Sequence, residues 1–205
     1  MTAQPLITGV DTPAHSVPVS SAQRGLWLIN ELHPNSSVYN VFCSVRLTGP
    51  LDLAALHRAL EQVVARHEAL RTTFRAGGDG PRQHIAADVA VPLPMTDLSG
   101  VSAEHHAARA SDQVDAWAEE PFDLAAGPLV KAVVVRLDAQ DHLFGLALHH
   151  IVCDGQSVHM LFDELARLYA ADNELPPLPV QYRDYAAWQR AQVADADRIA
   201  CAAYW

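Results

Sequence analysis

The sequence is poor in features of cross-linked, exported or membrane-embedded proteins. Its 3 cysteines, Cys43, Cys153 and Cys201, are odd in number and far apart, so we expect neither a disulfide framework nor a zinc cluster. No apolar run reaches the ~18–20 residues that a transmembrane helix needs. Residues 1–21 lack the basic stretch followed by an apolar stretch that marks a signal peptide. These absences predict a soluble, cytoplasmic protein with reduced thiols.

Basic residues are also scarce. Lys and Arg number 14 against 24 Asp and Glu, which gives a formal net charge of −10 with histidine neutral. Binding to nucleic acid requires clustered Lys and Arg that meet phosphates, and this sequence has only scattered basic pairs. The 11 histidines are mostly dispersed, which argues against a metal-binding tract. We therefore expect no nucleic-acid partner and no bound metal.

With 205 residues, of which 50% are hydrophobic, the chain can bury the core of one domain or one large lobe. Helical spacing of apolar residues, or a capping residue before them, predicts helices over residues 21–32, 53–67, 102–117 and 156–169 and from residue 182 onward. Runs of alternating or β-branched residues predict strands over residues 39–47, 70–74, 82–86, 91–95, 129–137 and 142–149. This mixture predicts an α/β fold with helices packed on a mixed sheet.

The two ends of the sequence differ from this middle part. Residues 1–19 have no periodicity and are predicted to be a mobile leader or an extended first strand. The last helix runs to Trp205 without a terminating glycine or proline, which is typical of a truncated chain.

Residues that carry chemistry are densest where an apolar strand meets an amphipathic helix. Neighbouring residues on a strand point to opposite faces, so His149 and His150 should diverge, one inward and one toward a cavity. Asp154 suits the turn before a helix, and Gly155 permits a tight turn or the close approach of another chain. A histidine near neutral pH is the usual general base. The cluster therefore suits attack of an amine or hydroxyl on an activated acyl group.

Three other interpretations stay open on the residues alone. The histidines could form a satisfied structural pair. His149, His150 and Asp154 could offer metal ligands, although adjacent strand residues diverge and no third histidine stands at helical spacing. Cys153 could be a nucleophile, but nothing beyond the histidines marks it as activated, and a small buried residue explains it better.

The segment His149–Gly155, read as His-His-x-x-x-Asp-Gly, matches the signature of the condensation domains of nonribosomal peptide synthetases. Three further segments resemble core motifs of that family in the correct order, and these are Ser-Ser-Ala-Gln-Arg-Gly-Leu-Trp at residues 20–27, Arg-His-Glu-Ala-Leu-Arg-Thr-Thr-Phe at residues 66–74 and Tyr-Arg-Asp-Tyr-Ala-Ala-Trp at residues 182–188. The resemblance covers nearly the whole chain.

The resemblance implies a chloramphenicol-acetyltransferase-like fold, in which two similar lobes form a V around a tunnel. Residues 20–205 would then be the N-terminal lobe, after a flexible leader of residues 1–19. Donor and acceptor peptidyl carrier proteins bring thioesters on phosphopantetheine arms, and a new amide forms on the acceptor arm. The other implied partners are the C-terminal lobe and the downstream synthetase domains. No cofactor is expected on this chain itself.

The resemblance also implies roles for single residues. His150 is expected to be catalytic and His149 structural. Asp154 is expected to hold the loop, with Arg71 as the candidate partner of an ion pair. Gly155 is expected to line the tunnel near the acceptor arm.

The first motif departs from the family pattern, because Gly25 stands where the family often has arginine and Arg24 lies one place earlier. This pattern resembles modules that open a synthetase chain and domains that take L-configured or acyl donors. The intact His149 argues against the cyclising branch, which has aspartate there. Epimerisation domains share the histidine motif but differ in its flanking motifs.

The second lobe lies outside the 205 residues, so the sheet edge that faces it would be uncovered and the site would be open to water. We expect the chain to fold but to have little or no condensation activity alone. Two other functions stay open: a stand-alone acyltransferase that uses a carrier or coenzyme A thioester and an alcohol, and a non-catalytic lobe that docks a carrier. The intact His149, His150 and Asp154 argue against the docking function.

Overall fold

The computed structural model describes residues 16–101, 103–170, 175–192 and 203. Its helices are α1 (Ser21–Leu32), α2 (Leu53–Arg66), α3 (Ala103–Ala118), α4 (Gly155–Tyr169) and α5 (Tyr182–Gln192), with a 3₁₀ turn at Glu68–Arg71. Its strands are β1 (Ser16–Pro18), β2 (Asn40–Thr48), β3 (Thr72–Gly77), β4 (Gly80–Ile85), β5 (Met95–Asp97), β6 (Val130–Asp138) and β7 (Asp141–His149). The predicted mixture of sheet and flanking helices is confirmed.

The strands form two sheets. The smaller sheet has the order β1-β4-β3 and is antiparallel throughout. The larger sheet has the order β2-β7-β6-β5, in which only β5 and β6 run parallel. Among the described strands, β2 is therefore an edge strand of the larger sheet.

The central strand β7 separates two apolar layers. Phe144, Leu146 and Leu148 point into the main core, which α2 and α4 cover. Ala147 and Leu143 point to the opposite face, where the loop after α3 and α3 itself pack. Because side chains alternate along a strand, His149 belongs to the second face, and the chain leaves the sheet at the next residue.

The folded body begins earlier than we expected. Residues 16–18 of the predicted leader form β1, which pairs with β4, and Val19 is 3% exposed. The extended first strand is thus the correct alternative for this part of the leader. Residues 1–15 lie outside the described residues.

Two strand predictions were wrong in their boundaries. Leu70 lies in the 3₁₀ turn and is buried there, so the strand begins only at Thr72. The strand predicted over residues 91–95 begins only at Met95. Pro92 and Pro94 have no backbone N–H, which explains why this extended segment does not join the sheet earlier.

Gly145, in the middle of β7, leaves room for side chains of the two neighbouring strands, Val133 on β6 and Phe42 on β2. A Cβ there would lie 3.1 Å from Cγ1 of Val133 and 3.3 Å from Cε2 of Phe42.

We expect Gly145→Ala to lower the free energy of unfolding by about 1–3 kcal/mol through overpacking. Gly25→Ala is the matched control, because a Cβ there meets nothing within 4 Å. It should stabilise α1 by about 0.5–1 kcal/mol. Urea unfolding measures both, and equal effects would contradict the packing role of Gly145.

Candidate active site

The candidate site lies where β7 ends at His149 and α4 begins at Gly155. The backbone is held on two sides at this point. The His149 N–H donates to the Leu129 carbonyl (3.0 Å), and the His150 N–H donates to the Tyr39 carbonyl (2.8 Å). The loop that carries the histidines is thus anchored to both neighbouring chain segments before it turns into the helix.

His149 is buried, with 2% of its surface exposed. Its ring lies edge-on to Phe122, with the centroids 6.3 Å apart, and 6.4 Å from the ring of Tyr39. Its Nδ1 atom accepts a hydrogen bond from the Ile151 N–H at 3.1 Å. Nδ1 therefore has no proton in this arrangement, and the neutral ring has its proton on Nε2.

Burial keeps the His149 ring neutral. The apolar surroundings lower the pKa of His149 to about 4, and the nearby His150 acts in the same direction. A neutral, packed ring that accepts a backbone hydrogen bond fits the structural role that we expected for His149. It places no positive charge beside His150 at neutral pH.

His150 points the other way and is exposed, so the predicted divergence of the two histidines is confirmed. Its Nδ1 atom lies 2.8 Å from the Cys153 carbonyl oxygen. A carbonyl only accepts hydrogen bonds, so Nδ1 is the protonated nitrogen. In the neutral ring, Nε2 then has a lone pair with which it can accept a proton. The turn itself sets the tautomer that a general base needs.

Asp154 caps α4. Its Oδ1 atom accepts from the Ser157 hydroxyl (2.6 Å) and the Ser157 N–H (2.8 Å), and the Ser157 hydroxyl accepts from the Asp154 N–H (3.3 Å). The bonds from the Ser157 hydroxyl and backbone hold the pKa of Asp154 below its ordinary value. Asp154 thus fixes the start of the helix that follows the loop of the two histidines.

The expected ion pair between Asp154 and Arg71 is not formed, which corrects that prediction. The Arg71 guanidinium donates to the carbonyl of Ala86, and it lies 4.0 Å from a carboxylate oxygen of Glu68. Arg71 thus ties the 3₁₀ turn to the chain after β4. Asp154 obtains its hydrogen bonds from its own helix, because a capping residue meets backbone N–H groups within the first turn.

Gly155 and Cys153 each had more than one possible role, and the structure opposes one role of each. Gly155 is the first residue of α4, and its φ is not positive. Its backbone conformation therefore does not require glycine. A Cβ at Gly155 would meet nothing within 4 Å, and the residue borders open space. Burial, and then Asp154, raise the pKa of the Cys153 thiol to about 12, which opposes a nucleophilic role.

Polar side chains connect the other three motif segments, at residues 20–27, 66–74 and 182–188. Tyr182 and Ser20 are joined by a hydrogen bond between their hydroxyls (2.9 Å). Arg183 pairs with Glu68 at 3.2 Å. These contacts bring the motif segments at residues 20–27, 66–74 and 182–188 together at α5.

Three residues that matter here had no role assigned from the sequence. Glu164 is 8% exposed and accepts from Arg66 (3.1 Å) and His67 (2.6 Å). Glu164 lies on the apolar side of the predicted helix over residues 156–169, and a carboxylate at such a position indicates that a basic partner lies nearby. The contacts of Gln23 with Gln83 and Ile151, and those of Asn40 with the carbonyls of Ala118 and Glu120, are tertiary contacts, which periodicity does not show.

In the described part of the chain, no group of three or more His, Cys, Asp or Glu side chains is arranged to hold a metal ion. Over the same residues, no helix combines the length and hydropathy of a membrane span. Cys201 lies outside the described residues.

A family model for the condensation domain matches residues 14–205. The chain belongs to the condensation-domain family. It is 42% identical over 194 residues to the phosphinothricin tripeptide synthetase PhsC of Streptomyces viridochromogenes, an alignment that covers 92% of this chain and 18% of the synthetase. It is 39% identical over 193 residues to the malpibaldin synthetase of Mortierella alpina, which covers 91% of this chain and 3% of that protein.

Solved condensation-type structures confirm the fold. The starter condensation domain of rhizomide synthetase RzmA matches with a TM-score of 0.79 at 27% identity, over 93% of this chain and 47% of that one. The X-domain of teicoplanin biosynthesis, solved in complex with OxyB, matches with a TM-score of 0.82 at 30% identity, over 95% of this chain and 42% of that one. The chain therefore spans less than half of these structures and less than a fifth of the curated relatives named above.

The pKa of His149 makes stability depend on pH. The unfolded chain has the ordinary pKa of 6.5 and the folded chain about 4, so the unfolded state binds more protons between these values. Stability should fall by up to about 3 kcal/mol as pH drops through this window. In His149→Asn, whose side-chain oxygen can still accept from Ile151, this dependence should flatten. Urea unfolding at pH 7.5, 6 and 4.5 tests this, and parallel curves for the two proteins would contradict it.

A double-mutant cycle tests whether Asp154 and Arg71 interact. We expect Arg71→Met and Asp154→Asn to be additive within about 0.5 kcal/mol, because the two side chains share no contact. The matched cycle is Arg66→Met with Glu164→Gln, whose partners are 3.1 Å apart. That pair should show a coupling of about 0.5–3 kcal/mol. Coupling of similar size in the first cycle would restore the ion pair.

Proposed function

We propose that residues 20–205 are the N-terminal lobe of a condensation domain of a nonribosomal peptide synthetase, and that His150 serves amide formation there. One observation carries the proposal: the exposed His150 ring has its proton fixed on Nδ1 by the Cys153 carbonyl at 2.8 Å. The family match of residues 14–205 supplies the reaction class. We infer that the protein is an acyltransferase that works in the cytoplasm.

The proposed reaction joins two carrier-bound substrates. The amine nitrogen of the aminoacyl acceptor attacks the carbonyl carbon of the donor thioester, and a C–N bond forms. One amine proton passes to, or is held by, Nε2 of His150. The C–S bond then breaks, and the donor phosphopantetheine arm leaves as a thiol after it takes up a proton. His150 thus serves as base or positioning group, and in both roles its lone pair must face the amine.

The substrates imply the partners. Both acyl groups arrive on the phosphopantetheine arms of donor and acceptor peptidyl carrier proteins, so the chain needs no cofactor of its own. Gly155 borders open space at the start of α4, which supports its proposed place beside the acceptor arm. The C-terminal lobe would cover the exposed His150 and complete the tunnel, and downstream synthetase domains would follow it.

Two features bear on the place of the domain within a synthetase. Arg24 and Gly25 follow the pattern of modules that open a chain. A starter condensation domain is among the solved structures similar to this chain. Both features support a domain that takes acyl or L-configured donors.

A docking function is the second candidate, and one observation favours it. The X-domain, which matches with a TM-score of 0.82, was solved as a complex with OxyB. A lobe of this fold thus occurs in a protein assembly. Against it stands the intact geometry of His149 and His150, which docking does not require. A stand-alone acyltransferase with an alcohol acceptor would differ in the acceptor alone.

The test measures product on the acceptor carrier. Donor and acceptor carriers are loaded with simple acyl and aminoacyl groups, and the acceptor is followed by intact-protein mass spectrometry. We expect the protein extended by its second lobe to transfer the acyl group, and the present chain to transfer little or none, because half of the tunnel wall is outside it. His150→Ala should lower the rate of the extended protein by about 10²–10⁴-fold.

His159→Ala is the matched control, because His159 is an exposed histidine on α4, and it should leave the rate unchanged. Carrier binding without transfer by the extended protein would favour docking. Transfer to an alcohol acceptor but not to an amine would favour the stand-alone acyltransferase. Equal activity of the two lengths would refute the need for the second lobe.

A further inference from the structure

The peptide groups on either side of Ile151 are held from two directions. The Ile151 N–H donates to Nδ1 of His149 at 3.1 Å, and the Ile151 carbonyl accepts from Nε2 of Gln23 at 3.4 Å. Ile151 is 3% exposed and directly follows His150. The backbone next to the proposed catalytic ring is therefore fixed by one histidine and one glutamine.

Gln23 is the end of a buried chain of amides. It is 2% exposed, and its Nε2 atom also donates to Oε1 of Gln83 at 3.3 Å. Gln83 is 2% exposed as well, and it donates to the Pro18 carbonyl at 3.0 Å. The chain of hydrogen bonds thus runs from the end of β1, through β4 and α1, to the loop after β7.

Only an amide satisfies all of these contacts at position 23. The Gln23 Oε1 atom accepts from the Ser20 N–H at 3.0 Å, which completes the capping box of α1. Its NH₂ group donates twice, to Gln83 and to Ile151. A carboxylate of the same shape could keep the acceptor bond but could donate neither of the other two. Capping alone would be equally well served by glutamate.

The turn after β7 transmits this constraint to His150. The Val152 N–H donates to the His149 carbonyl at 3.0 Å, which closes the turn. The Cys153 carbonyl at its end accepts from Nδ1 of His150. If Ile151 moves, the Cys153 carbonyl moves with it, and the bond that selects the tautomer of His150 is lost.

We propose that Gln23 is a positioning residue of the condensation site, which holds Ile151 so that the His150 ring keeps its proton on Nδ1. The role of His150 in this statement rests on the proposed function. The placement of the ring does not, so it can be tested without any carrier protein. Gln23 acts through the loop and touches no reacting atom.

The first experiment uses the present chain with ¹⁵N-labelled histidine at pH 8, where the tautomers are resolved by long-range ¹H–¹⁵N NMR. In the wild type, Nδ1 of His150 should show the shift of a protonated nitrogen and Nε2 that of an unprotonated one. In Gln23→Glu, the two shifts should move toward each other as the tautomers mix. Ser20→Ala is the control, because it removes the hydroxyl side of the same capping box and leaves the Ile151 contact in place.

A second variant and a second readout complete the test. Gln23→Met lacks the donor without burying a carboxylate, and it should give the same NMR result if Gln23→Glu fails to fold. In the protein extended by the second lobe, either variant should lower kcat by about ten- to a hundredfold with KM for the carriers unchanged. Wild-type shifts for His150 in both variants would overturn the proposal. If the extended wild-type protein shows no transfer, this result counts against the proposed function alone, because the NMR result on the present chain still decides the role of Gln23.

Discussion

The alternation of side chains along β7 is the constraint on which the site depends. Phe144, Leu146 and Leu148 pack in the core under α2 and α4, so a shift of the strand register by one residue would move all of them to the opposite face of the sheet. That register places His149 in the opposite apolar layer, and His150, just past the end of the strand, is exposed. Two adjacent, chemically identical side chains thus have different surroundings and different tautomers.

Around this strand, most of the motif residues hold the framework together. Ser20 and Gln23 start α1, Asp154 starts α4, and Glu68 pairs with Arg183 at the start of α5. Glu164 joins α4 to the end of α2. Segments far apart in the sequence thus meet in a small number of buried or half-buried polar contacts. Such contacts specify one arrangement, because a displaced partner would leave a polar group unpaired.

The sequence was sufficient for the elements that repeat a pattern. The helix over residues 156–169 and the strand over residues 142–149 were predicted within one residue at each end, because apolar spacing and a clear junction define them. It was also sufficient to expect that His149 and His150 diverge. It failed where tertiary contacts choose among several partners. Asp154 had two candidate tasks, a cap and an ion pair, and only the structure shows that Ser157 satisfies it. Pro92 and Pro94 explain why β5 begins only at Met95, because proline has no backbone N–H. The prolines are visible in the sequence, but our prediction followed the apolar residues around them.

The position of β2 at the side of the larger sheet has a practical consequence. This strand is 9 residues long and pairs with β7 on one side. A strand edge of this length offers a row of backbone donors and acceptors to any second chain. In the part of the chain that the structure describes, no strand covers the other edge of β2, so strands from different molecules can pair there as the concentration of the isolated lobe rises. Protein concentration is then an experimental variable of the same rank as pH or denaturant whenever the lobe is handled alone.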